Sequence, residues 1–204
     1  MMTSKEILAM QEKLVEALAK KGDIDTLEKM LKKISKELGV SEHFKWGVEW
    51  VVSKFNTEEF KRLGSELAVP FEKTVVRENI VLDLGAEELL KLLGGITGAN
   101  AYSNANARIY VGSSELAENP SQTGVQTPLG NAPMDVGYPQ VTGRSIVFRA
   151  TFSEDEAVGD WREVSIVNGS GVGAVALNRK QQNMGTKASG MTFVLQSTIS
   201  IISV

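Results

Sequence analysis

The chain has 204 residues, a formal net charge of −3 and 42% hydrophobic residues, so it can bury a core and is not a disordered chain. The absence of cysteine excludes disulfides, thiolate metal sites and cysteine nucleophiles, and the presence of a single histidine, His43, excludes polyhistidine metal sites. The pI near 5.4 argues against a chain-wide surface for binding polyanions.

The composition changes along the chain. Residues 1–64 hold 12 of the 22 Lys and Arg residues, whereas residues 95–204 hold 13 of the 19 glycines. Charge-dense segments poor in glycine favour helices, and segments punctuated by glycine favour short strands and turns. We therefore predict three parts, which are a helical hairpin over 1–39, a linking strand-and-helix segment over 40–94 and an antiparallel β-sandwich over 95–204. This arrangement is an α+β fold.

Two amphipathic helices are predicted within residues 1–39. The first begins at a capping box formed by Thr3 and Glu6 and ends at Gly22, and the second ends at Gly39. Their short link makes the helices antiparallel neighbours. The apolar stripe of this hairpin has to pack on the rest of the chain, on a second copy or on a partner. Neither a secretory signal nor a transmembrane segment is predicted.

The segment that follows mixes both kinds of pattern. Aromatic and β-branched residues alternate with other residues from Phe44 to Phe55, which favours a half-buried strand, although apolar residues at helical spacing are also present. The other elements predicted here are short: a helix over 57–64 after the N-cap residue Asn56, extended segments over 74–76 and 79–82, and a helix over 86–93.

The glycine-rich part of the chain predicts mainly strands. A loop rich in proline, glycine and asparagine is predicted over 113–141, and a loop of this length is usually functional, packed on itself or ordered by a neighbouring subunit. Short apolar strands separated by glycine turns are typical of an antiparallel sandwich. The strands predicted here cover 108–112, 144–152, 161–168, 173–179 and 191–204.

Few residues carry candidate chemistry. The acidic group over 153–156, with Asp160 and Glu163 nearby, has the oxygens for calcium or for a hydrolase carboxylate pair, but its spacing does not follow an EF-hand and favours an exposed loop. Gly169–Gly173 is followed by a strand pattern, so a hairpin turn is favoured over a phosphate-binding turn. His43 has no paired nucleophile motif, which favours a surface or capping role. We assign no catalytic, cofactor-binding or metal-binding residue.

Tryptophan and tyrosine residues offer a stacking platform for sugars or single-stranded nucleic acid only if they are exposed. Most of them occupy the apolar positions in the alternating pattern of the predicted strands, which favours core packing. Tyr138 lies in the long loop, where its ring is predicted to anchor the loop or to contact another subunit. The residues concerned are Trp46, Trp50, Trp161, Tyr102, Tyr110 and Tyr138.

A set of short sequence blocks occurs in a fixed order over about half of the chain. The blocks are ENIVLDLGAEELL (78–90), NANARIYVG (104–112), SQTGVQ (121–126), MDVGYP (134–139), VFRATF (147–152), WRE (161–163), LNRK (177–180) and GTKASG (185–190). This ordered set resembles a family of proteins encoded by tailed bacteriophages, whose members are mostly uncharacterised virion or tail-associated proteins. The hairpin over 1–39 is not part of the pattern.

The resemblance implies a structural component of a phage particle, made in the host bacterial cytoplasm and located in the virion as a head-decoration or tail protein. Its expected partners are copies of itself and other virion proteins, and we expect no enzymatic activity, cofactor, small-molecule substrate, nucleic acid or membrane. The alternative is a module on a tail or fibre that binds carbohydrate on a host surface. The resemblance also implies a β-sandwich, and a chain with few chemically active residues, a β-sandwich core and a long loop suits repeated symmetric assembly.

Overall fold

The computed structural model describes residues 44–203, in which ten strands and two short helices are present. The elements are β1 (Phe44–Asn56), α1 (Thr57–Leu63), β2 (Glu72–Arg77), β3 (Ile80–Val81), α2 (Asp83–Leu93), β4 (Arg108–Gly112), β5 (Pro128–Pro133), β6 (Gln140–Thr142), β7 (Ser145–Phe152), β8 (Gly159–Val167), β9 (Asn178–Lys187) and β10 (Met191–Ser203). Sheet I has the strand order β2-β1-β10-β7-β6, and sheet II has the order β3-β9-β8-β4-β5.

The predicted fold class, α+β with an N-terminal helical hairpin followed by an antiparallel β-sandwich, is wrong for the described residues, which are mostly strand. The hairpin predicted over 1–39 lies outside the described residues. The segment between this hairpin and residue 95 takes part in both sheets, because its extended parts find backbone partners: β1 and β2 pair antiparallel from Glu49–Arg77 to Lys54–Glu72, and β3 pairs with β9. Strands therefore dominate the described residues before residue 95 as well as after it.

Strand β1 confirms the alternation seen in the sequence. Val48, Trp50 and Val52 are buried, and the residues between them are half-buried on the opposite face. Because successive side chains of a strand point to opposite faces of the sheet, these three side chains form one unbroken row on the core side of β1. The short helix α1 follows as predicted, and the Asn56 side chain caps it by accepting hydrogen bonds from the N–H groups of residues 58 and 59.

The inner faces of both sheets contribute to one hydrophobic core, which is the arrangement of a β-sandwich. At its centre Trp161 of β8 lies edge-on to Phe152 of β7 and Phe193 of β10, with ring centroids 4.8 and 5.0 Å apart. The Trp161 indole N–H donates a hydrogen bond to the Ala157 carbonyl oxygen at 2.8 Å. A large aromatic side chain therefore joins the two sheets, and its buried polar atom is satisfied.

The loop predicted over 113–141 contains two strands. Strand β5 pairs with β4, and β6 pairs with β7. The sequence of β5, PLGNAP, has no alternation of apolar and polar residues, so its pairing rests on backbone hydrogen bonds that side-chain periodicity does not reveal. The prediction of a continuous loop is therefore wrong at both strands.

The strand predicted over 173–179 begins later and extends further, because β9 covers Asn178–Lys187. Residues 169–173 form the turn of a hairpin, as predicted, since β8 and β9 pair antiparallel on either side of them. Within this turn Gly173 has a φ of +85°, a conformation that glycine adopts without strain. The sequence of β9, NRKQQNMGTK, is largely hydrophilic, so apolar periodicity does not predict the part of the strand that follows residue 179.

Candidate functional site

The acidic group predicted as an exposed loop does not converge on one point. Its carboxylates bind different partners: Glu154 accepts from the Lys61 ammonium at 2.8 Å, Asp155 from the Ser189 hydroxyl at 2.9 Å, Glu156 from the Ser153 N–H at 2.8 Å, and Asp160 from the Thr186 hydroxyl. Among the described residues, no three His, Asp or Glu side chains are grouped so that they could hold a metal ion. His43 lies outside the described residues.

Glu163 differs from these carboxylates because it is completely buried in β8. Its Oε2 atom lies 2.9 Å from Nε and 2.8 Å from a terminal nitrogen of Arg179 in β9, and both side chains are fully shielded from solvent. Glu163 therefore lies in a strand, as the prediction of a strand over 161–168 implies, and is separated from the acidic loop over 153–156 near which it was grouped. A buried ion pair is stable only when the remaining donors and acceptors of both groups are also satisfied.

The segment over 113–127 supplies the other partners of this ion pair. Glu163 accepts hydrogen bonds from the backbone N–H groups of Ser114, Gln126 and Thr127, at 3.2, 2.8 and 2.8 Å. The Arg179 guanidinium donates to the carbonyl oxygen of Leu116 at 3.1 Å and to further acceptors at Ala117 and Gln122. We refer to Glu163, Arg179 and residues 113–127 as the ion-pair cluster. It fixes a long surface segment to sheet II.

Several of the sequence blocks that resemble the phage family meet at the ion-pair cluster. Glu163 comes from WRE, Arg179 from LNRK and Gln122 from SQTGVQ. Gly112, from NANARIYVG, is needed at its position because an added Cβ would lie 2.5 Å from a Glu163 carboxylate oxygen. The residues of these blocks therefore build the fold. The signal that could have revealed the pair is a glutamate inside a strand whose neighbours are apolar.

An open apolar cavity of about 620 Å³ lies at one end of the sandwich. We call it the apolar groove. Its walls come from α2, from the segment over 101–103, from the β6–β7 hairpin and from β1 and β10. The residues that line it are Trp46, Leu89, Leu92, Ala101, Tyr102, Ser103, Val141, Gly143, Arg144, Ser145, Ile146, Phe148, Leu177, Ile199 and Ile201.

The polar character of the apolar groove is low. In the described part of the chain, Arg144 is the one charged residue that lines it. Tyr102 is buried beside it, and its hydroxyl donates a hydrogen bond to the Val175 carbonyl oxygen at 3.2 Å. Burial raises the pKa of Tyr102 above its ordinary value, with a smaller contribution from Glu88. This phenol therefore stays neutral, and the groove offers mainly surface for apolar contact.

The tryptophans are divided between the core and the apolar groove. Trp50 and Trp161 are completely buried, which confirms the prediction of core packing for them. Trp46 is 39% exposed and lines the groove, so the same prediction is wrong there. The difference arises because the core encloses Trp50 in the middle of β1 but opens at the start of the strand, where Trp46 lies. Tyr138 packs against the core and anchors its loop, as predicted.

Comparisons of the chain with models of protein families, with curated proteins and with solved structures find no match. Relationship to the phage family thus remains an expectation that rests on the sequence blocks.

Neither α1 nor α2, the helices of the described residues, is long and apolar enough to cross a membrane.

Proposed function

We propose that this chain is a non-enzymatic structural protein of a tailed-phage particle, which acts through contacts with copies of itself and with other virion proteins. The observation that supports this role is the apolar groove, where apolar side chains remain in contact with water. Exposed apolar patches of this kind on a protein surface mark sites of interaction. The sequence blocks supply the expected setting, a virion head or tail.

The exposure of the groove's walls favours a protein occupant over a small molecule. Val141 is 74% exposed and, like Trp46 and Ile201, lies on an outer part of the wall. A small apolar ligand inside the groove leaves these side chains in water, whereas a protein surface covers them together. The hydrophobic gain from covering them is about 25 cal/mol per Å² of apolar area removed from water.

We assign this contact to a second copy of the chain. Proteins of a particle assemble through repeated contacts, and closed symmetric contacts between identical chains are the common solution. The groove also suits contact with an identical surface because its walls carry little charge, so two copies meet there without strong like-charge repulsion. The resulting interface combines a hydrophobic centre with the polar surface around it.

Light scattering coupled to size-exclusion chromatography of the full chain tests the proposal. The wild-type chain is expected to form an oligomer, and the double variant Val141→Glu/Ile201→Glu is expected to be a monomer, because each change places a charge in the contact. Val172→Glu is the matched control, since Val172 is fully exposed on the turn between β8 and β9 and is not among the residues that line the groove. It should leave the oligomer intact.

Two results contradict the proposal. One is a wild-type chain that remains a monomer at all concentrations and does not associate with particles. The other is an oligomer that the double variant leaves unchanged while its thermal unfolding matches the wild type, because the contact then lies elsewhere.

A further inference from the structure

A second cavity, which we call the polar groove, lies on the outer face of sheet I. In β7 the side chains of Phe148, Ala150 and Phe152 are buried in the core, so those of Arg149 and Thr151 lie on the opposite face. The polar groove has a volume of about 610 Å³ there, and an adjoining cavity of about 350 Å³ shares three of its lining residues. The shared residues are Ser65, Glu66 and Arg149.

A network of polar side chains forms the floor of the polar groove. The Arg149 Nε atom lies 3.1 Å from an oxygen of Asp135, which also accepts a hydrogen bond from the Thr151 hydroxyl at 3.0 Å. The Arg149 guanidinium lies over the ring of Tyr138, 5.6 Å from its centroid. The side chains of Arg149 and Asp135 are only 18% and 23% exposed, so both are held in the surface and still reach the cavity.

The backbone around this network is also fixed. Asn104 donates hydrogen bonds through its side-chain amide to the carbonyl oxygens of Asp135 and Tyr138, at 3.0 and 2.6 Å. The N–H of Asp135 donates to the carbonyl oxygen of Arg149 at 2.8 Å. A site whose polar groups are already in place loses little conformational entropy when a ligand binds.

We propose that the polar groove binds a neutral oligosaccharide. A sugar ring presents neighbouring hydroxyls that each donate and accept hydrogen bonds. An adjacent carboxylate and guanidinium complement such a pair, because the first only accepts and the second only donates. The Arg149 guanidinium uses its Nε towards Asp135 in the described contacts, so its other N–H groups are available to a ligand.

The charges of the two cavities favour a neutral ligand. Glu66 and Asp135 are balanced by Lys73 and Arg149 among the residues that line them. A nucleic acid or another polyanion requires an excess of cations. A protein partner is better served by an apolar centre, which the chain offers at the apolar groove instead. The two sites lie on opposite faces of sheet I, so this inference does not depend on the proposed oligomer.

A glycan array that carries neutral and anionic oligosaccharides is the first test, applied to the full chain. Signals for neutral glycans are expected, and calorimetric titration with the strongest neutral tetrasaccharide should give a dissociation constant in the range of about 10 µM to 1 mM. Arg149→Lys, which keeps the charge but loses the planar donor fork, should weaken binding at least about tenfold. Thr151→Val should weaken it less, because it removes one hydroxyl.

Arg162→Lys is the matched control, because Arg162 pairs with Glu115 at 2.8 Å and belongs to sheet II. It should bind the tetrasaccharide like the wild type, and all three variants should keep the wild-type unfolding temperature within a few degrees. The inference is overturned if no neutral glycan gives a signal, if only anionic glycans do, or if a folded Arg149→Lys chain binds as tightly as the wild type.

Discussion

The ion-pair cluster and the apolar groove differ in how far their side chains are exposed to water. At the ion-pair cluster, two charged side chains are removed from water, and seven hydrogen bonds with the segment over 113–127 replace those with water. At the apolar groove, apolar side chains such as Trp46 and Val141 remain partly in water. Burying a charge without partners costs far more than leaving apolar area exposed. The buried ion pair therefore needs hydrogen-bond partners from its own chain, whereas the apolar groove can remain exposed until a partner covers it.

Replacing the residue that joins the sheets should cause the largest loss. Trp161→Ala is expected to lower the free energy of unfolding by about 3–5 kcal/mol, because a fully buried ring is lost and a cavity remains. Urea denaturation measures this loss. Trp46→Ala is the control and should cost much less, since Trp46 is partly exposed. A loss below about 0.5 kcal/mol for Trp161→Ala would contradict its place in the core.

Glu163→Gln tests the ion-pair cluster directly. The substitution keeps the shape of the side chain but leaves the Arg179 charge buried without its counter-charge, so a loss of about 3 kcal/mol is expected. The control is Glu115→Gln, because Glu115 is largely exposed where it pairs with Arg162, and the expected loss is below about 0.5 kcal/mol. Equal losses for the two variants in urea denaturation would contradict the expected difference between the buried and the exposed ion pair.

Lys187 is a buried cation for which the described residues provide no carboxylate at salt-bridge distance, unlike Arg179. The pH dependence of the free energy of unfolding tests this difference. The Lys187 ammonium donates hydrogen bonds to the carbonyl oxygens of Ser153 and Glu154, at 2.6 and 3.0 Å. Burial lowers the pKa of Lys187 below its ordinary value of 10.5, and the nearby carboxylates of residues 154–156 oppose this shift. Between the lowered pKa and 10.5 the unfolded chain binds more protons, so stability should rise with pH.

Comparison with Lys187→Met isolates this contribution, because methionine cannot titrate. As the pH approaches 10.5, the wild type should gain stability relative to the variant, and below the lowered pKa the difference between them should stay constant. Urea denaturation over this pH range is the measurement. Parallel pH profiles for the two chains would show that the folded protein does not perturb Lys187.

The smallest effect is expected at the apolar groove, where Trp46→Phe should barely change stability. The variant is useful for fluorescence measurements, because Trp50 and Trp161 are completely buried and Trp46 is not. Acrylamide should quench one component of the tryptophan emission in the monomer, and Trp46→Phe should remove that component. Oligomer formation should protect it. Quenching that persists in Trp46→Phe would mean that another tryptophan is accessible.

The elements that the sequence predicted well are those with a strong local pattern. Strand β1 was recognised because aromatic and β-branched residues alternate along it, and α1 because Asn56 precedes an acidic first turn. Strands β5 and β9 were missed or misplaced because their partners, rather than their own side chains, determine their structure. Backbone hydrogen bonds pair strands of any composition, so no local pattern records them.

The sites were harder to predict than the strands. Glu163 was grouped with acidic neighbours in sequence, but its partner Arg179 is 16 residues away on the adjacent strand. The residues of the polar groove come from separate elements, with Asp135 in a turn and Arg149 in β7. The first arrangement depends on the register of β8 and β9, and the second depends on the backbone hydrogen bond from the Asp135 N–H to the Arg149 carbonyl oxygen.

The sequence alone determined which short segments alternate apolar with polar residues, as in β1, and where glycine ends them, because hydrophobic periodicity and glycine act over a few neighbouring positions. Only the tertiary structure decided which charges are buried together and which apolar side chains are left uncovered. Both outcomes depend on contacts between strands far apart in the chain, as when the register of β8 and β9 places Arg179 against Glu163.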